Sequence, residues 1–357
     1  MRGIPGDVFF MEAAFAQAYA VKGRTLPNPP VGAVLVRNGK VVGRGGTRPA
    51  GQAHAEIVAL EQAGNAASGA TLYVTLEPCR HHGKTPPCTR ALIAAGVKKV
   101  VAACADPNPR MAGKGFAELR AAGLEVRTGV MQEKAREFYD GFFFYIRHGR
   151  PKIIVKIAQS LDGRINAEPG RETRITGSAS RAFAHALRAR ADAILIGGRT
   201  LRIDNPDLTP RRVSGPAPEA LILTGKGALS PQFRLFSGNR RSKTVVLAPF
   251  SKVRGLPSWV DNVRITSSPL EKRLLSSLLG VFRERGYHEV LVEGGRSVWA
   301  PFLNQGLCDA LYLFTGSKLF PKGEDWQENL RPGWAKTLKF HRFSCFESDV
   351  LAEFRRA

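Results

Sequence analysis

Twice along this chain, short runs of β-branched and apolar residues alternate with longer runs of helical apolar spacing, and a break over residues 142–151 separates the two series. Strands alternating with helices specify sheets whose faces are covered by helices, so each series reads as an α/β domain. In the first, a helix is expected over 8–20, two strands over 31–36 and 40–43 around the hairpin signal Asn38-Gly39, a helix over 54–63 and a strand over 71–76. A helix over 88–95, a strand over 99–104, a helix over 111–122 and a strand over 124–128 complete it. At the break an aromatic run ends in Arg147-His148-Gly149-Arg150-Pro151, and a new strand opens at Lys152. The boundary is therefore placed between domains 1–148 and 149–357. The second series predicts strands over 152–158, 193–196, 220–223, 244–247 and 289–292, with helices over 180–190, 270–285 and 297–305. A length of 357 residues suits two domains, and a hydrophobic share of 43% gives each a normal core.

The formal net charge of +23 raises the question of a nucleic-acid partner. The excess is spread along the chain without a long basic block or tail, and a basic surface serves phosphorylated small molecules equally well. No nucleic-acid partner is expected. Five cysteines, Cys79, Cys88, Cys104, Cys308 and Cys345, are odd in number and unevenly spaced, unlike a disulfide framework. Residues 1–20 carry Asp7 and Glu12 and lack the apolar core of a secretion signal, and no window approaches a membrane span. These features predict a soluble, cytoplasmic protein with no membrane partner; a homo-oligomer is compatible with them.

The strongest chemistry lies in Ala53-His54-Ala55-Glu56 and in the run from Glu77 through Pro78-Cys79 to Cys88. One imidazole, from His54, and two thiolates, from Cys79 and Cys88, would hold Zn²⁺ and leave the fourth tetrahedral position to water, the arrangement of a catalytic site. Zinc lowers the pKa of such a water toward about 7. Glu56, two residues after His54 near a helix N-terminus, can reach that water without ligating the metal and is the candidate catalytic acid/base. Taken singly, the two cysteines read equally well as buried thiols or a structural pair, and His54 as an ordinary helix histidine. In combination, with His-x-Glu ahead of Pro-Cys, they carry the zinc-deaminase signature, although eight residues separate these cysteines where the general pattern has two. Cys104, ending an apolar strand, is expected to be a core thiol.

Here the chain resembles a known family, the bifunctional deaminase and reductase of bacterial riboflavin synthesis. The resemblance rests on Pro27-Asn28-Pro29-Pro30-Val31-Gly32, on His54-Ala55-Glu56, on the run from Glu77 to Cys88, and on Asp106-Pro107-Asn108-Pro109. It implies an N-terminal cytidine-deaminase-like α/β/α domain in which Asn28, His81, Lys84, Asp106 and Asn108 hold the pyrimidine and ribose phosphate. One departure is Thr47, seven residues before His54, where the family usually carries histidine; a hydroxyl there retains hydrogen bonding but no cationic role.

The resemblance continues through Lys156-Ile157-Ala158-Gln159-Ser160-Leu161-Asp162-Gly163-Arg164, the run from Gly198 to Thr209, and Val292-Glu293-Gly294-Gly295. It implies a dihydrofolate-reductase-like α/β domain using NADPH, and no Gly-x-Gly-x-x-Gly follows the first strand of this half. Glu293-Gly294-Gly295 closes a strand and opens a helix, so its amides suit a dinucleotide phosphate; a tight turn is the plainer reading of the same glycines. Carried over by position, Ala158, Arg174, Thr200, Asp204, Gly295, Arg296, Ser297, Val298, Trp299, Ala300 and Pro301 would contact NADPH. Arg188, Leu208, Arg211 and Glu293 would contact the ribosylaminouracil phosphate. Arg174 stands where the family commonly has tryptophan, so phosphate pairing would replace ring stacking.

The function implied is hydrolytic deamination of a diaminopyrimidine ribonucleotide followed by NADPH-dependent reduction of its ribosyl side chain. Two other readings compete: a tRNA adenosine deaminase with an appended RNA-binding domain, and a structural zinc module fused to a nucleotide sensor. The eight-residue spacing and the second-half motifs argue against the former. The latter leaves Glu56 without a role.

Overall fold

The computed structural model describes residues 5–81, 86–237, 244–248, 253–265 and 271–357. The chain divides into two compact units, Met1–Arg150 and Pro151–Ala357. In the first, helix α1 (Pro5–Val21) precedes a hairpin of β1 (Gly32–Arg37) and β2 (Lys40–Gly46). Asn38 and Gly39 turn that hairpin with φ of 50° and 74°, the positive values a two-residue connection requires. There follow α2 (Ala55–Ala63), β3 (Thr71–Val74), α3 (Cys88–Ala94), β4 (Lys99–Ala102), α4 (Lys114–Ala121), β5 (Glu125–Thr128), α5 (Gln132–Phe138) and α6 (Asp140–His148).

The strands form one sheet in the order β2-β1-β3-β4-β5, with β1 antiparallel to both neighbours and β3, β4 and β5 mutually parallel. Side chains alternate across the pleat, so β1 feeds two cores. Val34 and Val36 join Met11, Phe15 and Tyr139 on one face, while Ala33 and Leu35 join Ala55, Ala59 and Leu92 on the other. This is the α/β/α arrangement the sequence predicts. It brings the carboxyl ends of the parallel strands β3 and β4 side by side, the usual position of a ligand site in such sheets.

The second unit contains β6 (Lys152–Gln159), α7 (Ser178–Arg190), β7 (Ala193–Gly197), α8 (Gly198–Asp204), β8 (Glu219–Leu223), β9 (Thr244–Ala248), β10 (Asp261–Arg264) and α9 (Glu271–Glu284). It ends with β11 (Glu289–Val292), α10 (Arg296–Asn304), β12 (Ala310–Thr315), β13 (Leu338–Phe346) and β14 (Asp349–Arg356). Its sheet runs β10-β9-β8-β7-β11-β6-β12-β14-β13, parallel as far as β12 and antiparallel across the last two pairings. Central strands such as β7, β9 and β11 are buried along their whole length, as parallel strands covered on both faces must be.

Several expectations needed revision. The helix expected over 111–122 begins at Lys114, because Gly113 has φ 86° and the amides of Gly113 and Gly115 are captured by the Glu77 carboxylate. Residues 142–148, read as part of the break between the two series, belong to α6, which Gly149 at φ 65° terminates, and α5 before it was not expected. Strands β10, β12, β13 and β14 were not expected. β12 is a short apolar run of the kind whose period does not separate strand from helix, and β13 is a largely exposed edge strand. Of the helix expected over 270–285, Leu270 lies outside the described residues. Among the described residues no helix is long and apolar enough to cross a membrane.

Candidate active sites

His54 is the N-cap of α2, with extended backbone (φ −74°, ψ 164°), so its side chain leaves the helix at the carboxyl edge of the sheet. Cys79 lies in the loop after β3, and Cys88 opens α3. His54 Nδ1 is 3.5 Å from Cys79 Sγ and 3.4 Å from Cys88 Sγ, and the three ligand atoms lie within 4.8 Å of one another. With Zn–N near 2.0 Å and Zn–S near 2.3 Å, the N···S edge of a zinc tetrahedron is about 3.6 Å, so the donor set fits the metal in both chemistry and spacing. The Cys88 amide donates to Cys79 Sγ at 3.4 Å. The two thiols act on each other: Cys88 holds Cys79 below the usual thiol range, against burial, while Cys79 and burial push Cys88 up, so that Cys88 keeps its proton. A divalent cation takes the place of that proton.

Glu56 lies in the first turn of α2 and is 3% exposed. Burial, reinforced by the neighbouring Cys79 and opposed by His54, pushes its carboxyl up to about 7. A carboxyl poised there exchanges protons readily at neutral pH. Cys104 stands apart from the ligands: it is buried, donates to the Thr75 carbonyl at 3.5 Å, and burial raises it to about 12. All five cysteines are free thiols.

A second carboxylate, Glu77, organises the wall of this site. Its Oε2 accepts the amides of Asp106 at 3.1 Å and Gly113 at 2.9 Å, and its Oε1 accepts that of Gly115 at 2.8 Å. Gly115 is obligatory, because a Cβ there would lie 2.4 Å from the Pro78 carbonyl oxygen. Within the loop so fixed, Asp106 accepts the Asn108 amide at 2.8 Å and Asn108 accepts that of Arg110 at 3.0 Å. Burial pushes Asp106 up to about 6, with His81 and Cys79 close enough to influence it. His81 is exposed, its Nδ1 3.4 Å from Met111 Sδ. Asn28, half-buried, lies in the turn before β1, where its carbonyl accepts from Thr25 Oγ1 at 2.8 Å. Lys84 lies outside the described residues. Thr47 is occupied: its hydroxyl accepts the Val31 amide at 3.2 Å and donates to the Val31 carbonyl at 3.4 Å, so it serves the backbone.

The second unit encloses a cavity of about 940 Å³, of a size that accepts a small-molecule ligand together with a cofactor. Ala158, Arg174, Thr200, Asp204, Gly295, Arg296, Ser297 and Trp299 line it, as do Arg188, Leu208, Arg211 and Glu293. Val298, Ala300 and Pro301 are instead buried in α10 and do not reach the lining. Gly295 caps α10 with φ 73°, and a Cβ there would lie 3.2 Å from Thr200 Oγ1, so bare backbone faces the cavity as a dinucleotide phosphate requires. Arg174 is exposed, and Leu208 is buried at the unusual φ of 61°. Arg188 is far from a solvated helix residue: its Nε and Nη2 donate to the two oxygens of Glu293 at 2.7 and 2.6 Å. Lys156 Nζ lies 3.8 Å from the same carboxylate. Burial alone would raise Glu293, but Arg188 and Lys156 outweigh it and hold the group at about 2. Asp204 is raised to about 6 by burial and by Glu172. Sequence reasoning gave no role to Glu77, Lys156 or His185, although His185 precedes Arg188 by three residues and so shares its helix face.

Residues 6–104 match the family model described as the cytidine and deoxycytidylate deaminase zinc-binding region, and residues 151–342 match the RibD C-terminal domain. The riboflavin biosynthesis protein RibD of Aquifex aeolicus is 41% identical over 317 residues, covering 89% of this chain and 88% of the relative. That of Escherichia coli is 35% identical over 328 residues, with 88% of each chain covered. A Thermotoga maritima structure, described as a diaminohydroxyphosphoribosylaminopyrimidine deaminase/5-amino-6-(5-phosphoribosylamino)uracil reductase, superposes with a TM-score of 0.78 at 35% identity over 99% of both chains. Acinetobacter baumannii RibD gives a TM-score of 0.74 at 33% identity, again over 99% of both. A tRNA adenosine deaminase is not favoured, since the second unit matches the RibD C-terminal domain. The chain belongs to the RibD family of riboflavin biosynthesis proteins, in which a zinc-dependent deaminase and an NADPH-dependent reductase are joined in one bifunctional enzyme.

Proposed function

We propose that the first unit hydrolytically deaminates 2,5-diamino-6-ribosylamino-4(3H)-pyrimidinone 5′-phosphate, and that the second reduces the product to 5-amino-6-ribitylaminouracil 5′-phosphate, in the cytoplasm. The observation that carries this reading is the His54, Cys79 and Cys88 triangle with buried Glu56 beside it, on the same chain as the Glu293-lined cavity. His54, Cys79 and Cys88 would hold zinc, which would supply a water acidic enough to ionise near neutral pH. Glu56 is the group that would accept a proton from the attacking water and carry protons to the ring nitrogen and the departing ammonia. Asp106, Asn108, Asn28 and His81 orient the pyrimidine, and Lys84 pairs with its phosphate.

In the second unit NADPH, when bound, supplies the hydride for C1′ of the ring-opened ribosyl group. The bare backbone at Gly295, with Ala158, Arg174, Thr200, Asp204, Arg296, Ser297 and Trp299, forms its binding wall, and Val298, Ala300 and Pro301 pack α10 behind it. Arg188, Arg211, Leu208 and Glu293 hold the ribosylaminouracil and its phosphate. The deciding experiment measures zinc content, ammonia release and NADPH oxidation on one preparation, with a tRNA anticodon stem as the alternative substrate. Ammonia from the stem and none from the pyrimidine nucleotide would overturn the reading.

Two substitutions test individual parts. Glu77→Gln places an NH₂ against at least one of three amide donors, at about 1–3 kcal/mol of stability. Zinc content is expected to stay unchanged while the KM for deamination rises; a wild-type KM would remove Glu77 from any part in positioning the substrate loop. Gly295→Ala forces a side chain onto a positive-φ backbone (φ 73°, ψ 134°) that glycine alone adopts freely, at about 1–3 kcal/mol, and intrudes toward Thr200. The expected result is a lower melting temperature together with a raised Kd for NADPH, both read by fluorescence titration and melting of the same sample. Lower stability with an unchanged Kd would make Gly295 a turn residue only.

A further inference from the structure

One wall of the reductase cavity carries a buried imidazole to which the reading above gives no task. His185 lies on α7, lines the cavity and is 7% exposed. Its Nδ1 accepts the backbone amide of Arg212 at 3.3 Å. A ring nitrogen that accepts carries no proton, so the hydrogen of the neutral ring is on Nε2. Nε2 has no protein partner among the described residues, and it is absent from their sealed, unsatisfied polar atoms, which leaves it open to the cavity. The charges facing the ring are Arg188 and Glu293 with Arg211 and Arg212; burial and the three cations keep the imidazole neutral, at about 4. Arg188 is largely committed to Glu293, Arg212 Nη1 donates to Ser178 Oγ at 3.0 Å, and Arg211 Nη1 approaches Asp207 at 3.4 Å with its side chain 53% exposed. Three guanidinium groups against one buried carboxylate leave a local positive excess around a donor fixed by its tautomer. Such a set recognises an acceptor-only, multiply charged group, and a phosphate dianion is that group.

We propose that His185 is a phosphate-binding residue of the reductase, its Nε2–H donating to a phosphate oxygen of the substrate beside Arg188 and Arg211. The inference rests on the reductase reading and adds to it a neutral donor whose orientation the Arg212 backbone sets. Because the ring is held neutral, it gives directionality without adding a further charge that would compete for Glu293.

The test compares wild type with His185→Asn and His185→Gln. Asparagine can still accept the Arg212 amide but withdraws the donor from the cavity, whereas glutamine restores an N–H near the Nε2 position. Asparagine is expected to raise the KM for the phosphorylated pyrimidine roughly ten- to hundredfold with kcat within about twofold, and to weaken competitive inhibition by inorganic phosphate by a similar factor. Glutamine is expected to recover most of the loss. With the dephosphorylated substrate, wild type and His185→Asn should not differ. Equal losses on both substrates, or unchanged inhibition by inorganic phosphate, would overturn the proposal. A variant that melts early is bypassed by titrating inorganic phosphate into wild type and following the His185 ring resonances by NMR: the Nε2 proton should shift, and a ring that does not respond also overturns it. If wild type failed to oxidise NADPH with the pyrimidine, the reductase reading would fall, while the phosphate titration would still decide for or against His185.

Discussion

Glu56→Gln is expected to eliminate deamination while zinc remains bound. The amide keeps the size of the side chain in a position only 3% exposed, so the first turn of α2 and the placing of His54 should persist. What it removes is the proton acceptor. General acid–base catalysis contributes about 10²–10⁴ in rate, and a loss of at least that size is expected, since the proposed role places Glu56 in both the attack and the departure of ammonia. Burial and the adjacent Cys79 raise the wild-type carboxyl to about 7, and the variant has no titrating group there. Metal analysis and ammonia release on one sample make the check, with reduction of pre-deaminated substrate as the control. Near-normal deamination by zinc-loaded Glu56→Gln protein would end the assignment.

Glu293→Gln should inactivate the other half. Glu293 is the counterion for Arg188 and Lys156, and its carboxylate is 6% exposed. A glutamine cannot pair with both donors of the guanidinium, and two cations are left without their charge partner. Breaking a buried pair from one side costs about 3–5 kcal/mol. The pH dependence follows from the direction of the shift. Glu293 is held at about 2 against an ordinary 4.5, so its contribution is complete above about 4.5 and is lost as pH falls through 2. That difference corresponds to about 3 kcal/mol, in keeping with the mutational expectation. The stability gap between wild type and variant should therefore be constant above pH 4.5 and close below it. All four tryptophans, Trp259, Trp299, Trp326 and Trp334, lie in the second unit, so denaturant unfolding followed by tryptophan fluorescence reports on that unit alone. Reduction should be lost with deamination intact; a variant as stable as wild type at neutral pH would show that the pair contributes nothing net.

What could be read without coordinates was local chemistry and period. The hairpin at Asn38-Gly39, the strands over the middle of each half and the helix behind His54 follow from turn residues and apolar spacing acting over a few positions. The candidate zinc set of His54, Cys79 and Cys88 was legible because few residue types bind zinc and because His-x-Glu on a helix N-terminus carries its own geometry, and the fold brings the three donor atoms within 4.8 Å of one another. The C-terminal edge strand β13 was not, since it is exposed along most of its length and gains its partners only from β14.

The sequence by itself determined which atoms are available: an imidazole and two thiols for a metal, a carboxyl two residues on, and glycines where β11 meets α10. Tertiary structure decided what those atoms and their neighbours face. Glu77 became the organiser of the loop over residues 106–115 only because three amides from it converge on that carboxylate. Thr47 is turned to the Val31 backbone by the same packing. Arg188 proved to be paired with Glu293, more than a hundred positions away, and the His185 tautomer is set by an amide from a different segment. Local spacing constrains a residue's type and direction, but ionisation and hydrogen-bond roles depend on burial and on partners distant in sequence, and those exist only once the chain has closed on itself.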